Sequence, residues 1–159
     1  MKKRFIDLYP YLLAALGLLV LAWLQPAAAY EWRNAAIGGG GYVPGIVYSE
    51  AEPGLVYART DVGGAYRWNP AENVWMPLTD SFADMNNLGV VSLACDPVDP
   101  DRVYIATGLY TQEWWDKNGA IYRSDDRGET WEKFELPIKL GGNDPGRGDG
   151  EKLQIDPND

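Results

Sequence analysis

Histidine is absent from this chain, and cysteine occurs once, at Cys95. The first absence excludes Ser-His-Asp and Cys-His catalysis and His-ligated metal sites within the chain. The second excludes an internal disulfide. Cys95 sits in a strand-like run and reads as a buried, inert thiol. Positive charge is also scarce, with 14 basic against 23 acidic residues and a net charge of −9. An acidic chain is a poor partner for nucleic acid or an anionic membrane surface. Chemistry must therefore rest on carboxylates, Tyr, Lys, Arg or Ser, and no cofactor or metal is called for. Convincing amphipathic helices are missing after residue 30.

One long apolar run is present. Lys2, Lys3 and Arg4 precede it, it extends from Tyr11 to Leu24, and Ala27 to Ala29 supply small residues for cleavage. This order predicts a secretory signal peptide over residues 1–29, with the membrane met only through it, and a secreted product. The run is shorter than the ~20 residues of a spanning helix. Its removal would leave a chain of net charge −11, since three basic residues and Asp7 depart.

The remainder carries an internal repeat. The stretch Gly64 to Trp75 lies over Ala120 to Trp131 without gaps, so that Tyr66 meets Tyr122, Arg67 meets Arg123 and Trp75 meets Trp131. Upstream, Pro53 to Tyr57 lies over Pro100 to Tyr104, and Leu153 to Pro157 echoes Leu93 to Pro97. Each copy reads as four short strands: 45–49, 55–59, 65–68 and 74–78, then 90–95, 102–107, 120–123 and 130–135. Turn residues such as Glu52-Pro53-Gly54 and Asp96-Pro97 separate them. Four-stranded units at this period predict an all-β fold of propeller blades, at about 42–79 and 89–137, with a third opening at 152–159. Two blades cannot close a ring. Residues 30–159 are thus expected to be an incomplete propeller that needs its remainder, from truncation or from another chain.

Ser124, Asp126, Gly128, Thr130 and Trp131 match the Asp-box pattern S-x-D-x-G-x-T-W. This sequence braces a hairpin and marks a fold, of the type sialidases share, rather than a chemistry. Alternate connections of an antiparallel blade leave from opposite ends. The Asp-box is expected at one end. Asp61, the Tyr110, Trp114 and Trp115 loop, and the link bearing Asn143 and Arg147 are expected at the other. Sugars stack on aromatics and bind carboxylates and amides at their edges, so this second end suits a polysaccharide. Two blander readings stand beside it: Asp61 as an Asx-turn residue, and one of the two tryptophans as packing for the next blade.

The runs Gly38 to Val47 and Val56 to Trp68 strongly resemble the N-terminal region of glycoside hydrolase family 74. Asp96 to Pro100, Tyr110 to Trp114, Lys139 to Asn143 and Pro145 to Gly148 extend the resemblance. It implies two seven-bladed propellers with a cleft for xyloglucan or a related β-1,4-glucan. It also implies inverting hydrolysis with Asp61 as general base and the general acid in a second propeller, so that this stretch alone should be inactive. Tyr110, Trp114, Trp115, Asn143 and Arg147 become candidate substrate contacts, and Gly63 and Gly64 would leave room for a sugar ring. The chain departs from the family at Asp144 and Asp149, where Met is usual, and at Lys152, where Arg is usual. The alternatives are a non-catalytic carbohydrate-binding or adhesion propeller, or an inert remnant.

Overall fold

A computed structural model describes residues 36–158. The expected signal peptide lies outside the described residues. The chain forms two four-stranded antiparallel sheets. The first contains β1 (Gly45–Tyr48), β2 (Val56–Arg59), β3 (Ala65–Asn69) and β4 (Val74–Pro77), and the second β5 (Val90–Cys95), β6 (Val103–Thr107), β7 (Ala120–Ser124) and β8 (Glu132–Glu135). Each sheet is a meander in which consecutive strands pair. The repeated sequence thus folds into repeated units.

Turn chemistry sets the strand boundaries. Asn69 Oδ1 accepts from the Ala71 and Glu72 amides, and Asp96 Oδ1 accepts from those of Val98 and Asp99. Both side chains stand in for backbone partners and stop their strands. The expected start of β8 at Thr130 is corrected to Glu132 because Asp126 captures Thr130 for the turn. The link between the sheets carries a short helical turn, in keeping with the expected lack of amphipathic helices. Residues Met85–Leu88 form one 3₁₀ turn, opened by Asp84, whose carboxylate accepts from the Asn86 amide.

The core lies between the two sheets. Leu55, just before β2, and Tyr57 within it share one buried apolar cluster with Val103 and Ile105 of β6, on alternate positions of their strands. Burying each such side chain contributes about 1.5–3 kcal/mol. Phe82 stacks on Tyr122 with ring centroids 4.3 Å apart. Cys95 is only partly buried, and burial pushes its thiol up to about 12, which keeps it unreactive.

The Asp-box joins the sheets as well as bracing a hairpin. Asp126 accepts from the Thr130 amide and hydroxyl and from the Ser124 hydroxyl, while Ser124 Oγ accepts from the Gly128 amide. Trp131 Nε1 donates to the Leu78 carbonyl of the first sheet at 3.0 Å. Arg127 pairs with Glu52 in the β1–β2 turn. The Thr130 hydroxyl and amide and the Ser124 hydroxyl hold the Asp126 carboxyl down at about 2. A depressed folded-state value contributes stability that is present above the ordinary carboxylate value and lost as pH falls through the folded one. Melting experiments between about pH 4 and about pH 2 should therefore show a slope that Asp126→Asn flattens. An unchanged slope would assign that window to other carboxylates.

Candidate active site

Asp61 follows β2 in a four-residue turn that it does not itself close. Thr60 does so: its Oγ1 accepts from the Gly63 amide at 2.8 Å and donates to the Gly64 carbonyl at 2.9 Å. The Asp61 carboxylate is left for other work, which removes the Asx-turn reading. Asp61 is only 5% exposed. Its Oδ1 accepts from the Tyr42 amide at 2.8 Å, and its own amide donates to the Tyr42 carbonyl. Oδ2 lies 3.0 Å from Arg147 Nε. The Arg147 Nε–H is not aimed at that oxygen and finds no hydrogen-bond acceptor among the described residues. The contact is therefore one of charge. A carboxylate oxygen has two lone-pair directions, so Oδ2 retains capacity for a water.

Gly63 and Gly64 answer to the protein interior. A Cβ on Gly63 would strike the Gly40 carbonyl. Gly64 has φ +83°, and a Cβ there would strike Thr79 Oγ1, which itself accepts from the Ala65 amide. The expectation that these glycines clear space for a sugar is replaced by packing of the turn against its neighbours.

The 108–118 loop and the 139–150 link are stitched together at the same end of the sheets. The Gly142 and Asn143 amides donate to the Gly108 and Leu109 carbonyls, and Asn143 Nδ2 donates to Tyr110 Oη at 2.7 Å. Asp144 accepts from the Thr111 amide and hydroxyl and from Gln112 Nε2. Burial would raise the Asp144 carboxyl, but these hydrogen bonds outweigh it and hold it below the usual range. One of the three expected departures from the family pattern is thus an internal anchor.

Tyr110, Trp114 and Trp115 form one aromatic cluster with centroids 5.1–5.8 Å apart. The two tryptophans differ in role. Trp115 Nε1 donates to Asn86 Oδ1 at 2.7 Å, which locks it to the 3₁₀ turn. Trp114 is 67% exposed. Asn86 also accepts from the Leu109 amide and donates to the Asn118 carbonyl. This buried amide frames the whole aromatic loop, and its place in a short polar link gave no sequence signal.

The two ends of the sheets are distinct. At the Asp61 end the sheets meet through Val90 N to Thr60 O and Gly64 N to Leu88 O. The β6–β7 loop with its aromatics leaves from that end, and the Asp-box connects β7 to β8 at the other. A concavity of about 580 Å³ also opens at the Asp-box end, between Glu52, Asn69 and Arg127 among others. Its charges are spent on each other, Arg127 with Glu52 and Arg67 with Glu129.

No protein-family model matches the chain. A xyloglucanase of Paenibacillus sp is 59% identical over 137 residues, which cover 84% of this chain and 13% of that one. Xyloglucanase Xgh74A of Acetivibrio thermocellus is 54% identical over 149 residues, 92% of this chain and 18% of that one. The crystal structure of the GH74 xyloglucanase from Xanthomonas campestris superimposes with a TM-score of 0.71 at 51% identity, covering 80% of this chain and 18% of that one. The chain therefore spans less than a fifth of the length of these relatives. On sequence identity and fold together, it belongs to glycoside hydrolase family 74, of whose propeller architecture it holds two blades.

Proposed function

We propose that this chain is the base-bearing part of a secreted, inverting glycoside hydrolase that cleaves the β-1,4-glucan backbone of xyloglucan. One observation carries the reading. Asp61 is a buried carboxylate that its own turn does not use, at the end of the sheets that also presents the Tyr110–Trp114–Trp115 cluster. Inversion needs a base that activates water and an acid on the opposite side of the scissile bond, with carboxyls about 6.5–9.5 Å apart. Asp61 supplies the first. The acid is assigned to a second propeller, so the chain by itself is expected to be inactive. Tyr110, Asn143 and Arg147 stand beside the glucan path, and Trp114 offers the free ring for stacking.

The test uses a chimera in which the matching 149-residue stretch of Xgh74A is replaced by this chain. The chimera should release oligosaccharides from xyloglucan. Trp114→Ala should raise KM several-fold, since ring stacking on an exposed aromatic contributes about 0.5–1.5 kcal/mol. Trp115→Ala should also loosen the 108–118 loop. An inactive but folded chimera, or an unchanged KM in Trp114→Ala, would count against this reading.

A further inference from the structure

Arg59 is buried to 0% exposure two residues before Asp61. A buried guanidinium is costly unless it is paired and its donors are satisfied. Here Nε donates to Glu151 Oε1 at 2.6 Å. Nη1 donates to the Val90 and Arg147 carbonyls, and Nη2 to those of Arg147 and Gly150, at 3.2–3.3 Å. The other Glu151 oxygen accepts from Ser92 Oγ and the Leu93 amide. The second repeat has no arginine at the matching position. Gapless extension of the repeat puts Ala106 opposite Arg59 and Gly108 opposite Asp61. The first copy departs from the second at the candidate base and at the residue that grips the 147–151 segment.

We propose that the Arg59–Glu151 pair is a positioning device: it pins the Arg147 backbone so that the Arg147 guanidinium stays seated on Asp61 Oδ2. The inference rests on the reading of Asp61 as the base. The Arg147 amide also donates to the Asp144 carbonyl at 3.2 Å, within the same turn. Among the described residues the guanidinium otherwise meets only the Asp144 carbonyl, 3.2 Å from Nη1, and the exposed Tyr42 ring, 5.7 Å from its centroid. Arg59 holds the Arg147 main chain through its carbonyl, so the side chain that reaches Asp61 starts from a fixed point. With Oδ1 accepting from the Tyr42 amide and Oδ2 held by charge against Arg147, the orientation of the carboxylate is set while Oδ2 keeps capacity for a water. Misplacement of a reacting group by ~1 Å costs up to about 10²-fold in rate.

The test is a double-mutant cycle in the Xgh74A chimera. Glu151→Gln keeps the side-chain shape and removes the charge that holds Arg59. It should lower kcat about 10–100-fold while KM changes less than about twofold. In an Arg147→Ala background the same substitution should lower kcat by no more than about twofold, because the residue it acts through is gone. Arg59→Lys retains a charge for Glu151 but loses the fork that grips three carbonyls, and should reproduce the kcat loss. It is the second variant should Glu151→Gln fail to fold. Equal losses in both backgrounds, or an unchanged kcat in both variants while Asp61→Asn is inactive, would overturn the positioning role. Full turnover by Asp61→Asn would overturn the assignment of the base instead.

Discussion

Asp61→Asn in the chimera should lower kcat by about 10²–10⁴-fold, the range that general-base catalysis supplies, while xyloglucan binding persists. The asparagine oxygen can still accept from the Tyr42 amide that now donates to Oδ1. The turn keeps its shape because Thr60 closes it. What disappears is the proton acceptor and the charge opposite Arg147. A loss confined to kcat marks an interaction made in the transition state, whereas a rise in KM alone would mark a substrate contact. Turnover near that of the parent chimera would return Asp61 to a structural role.

Gly64→Ala should destabilise the chimera by about 2–5 kcal/mol. Left-handed backbone costs about 1–2 kcal/mol for a residue with a Cβ, and forcing a methyl into a filled site costs about 1–3 more. The methyl would meet Thr79 Oγ1, which is wholly buried and accepts from the Ala65 amide. Thr79→Ala in the same protein should relieve the steric part and leave the backbone part. Thermal melting reads the difference. If Gly64→Ala instead melted like the parent and raised KM, the glycine would be keeping space for a sugar after all.

Much of the architecture was legible because it is local. The paired Tyr66/Tyr122 and Arg67/Arg123 positions, the turn residues at Asn69 and Asp96, and the short strand-like runs between turns each follow from the sequence pattern itself. The end of the sheets on which Asp61 lies followed from the parity of antiparallel connections alone. Errors arose where distant groups decide. Arg59 and Glu151 are 92 residues apart in sequence, and no spacing rule links them. The place of Asp144 as an anchor for Thr111 and Gln112 depends on two loops meeting. The real constraint on Gly63 and Gly64 comes from Gly40 and Thr79. Where a repeat breaks its own pattern, as at Arg59 against Ala106 and Asp61 against Gly108, the blade fold is not what demands the residue.

The reading of Asp61 as the base of an inverting enzyme is tested most directly by chemical rescue. Asp61→Ala in the chimera removes the carboxylate and leaves space where the activated water would stand. Added azide is a nucleophile that needs no base. It should restore turnover in proportion to its concentration and yield an α-glycosyl azide from the β-linked substrate, since a base-assisted displacement inverts the anomeric centre once. No recovery in a folded protein that still binds xyloglucan, or a product of retained β configuration, would contradict the assignment of Asp61 as that base.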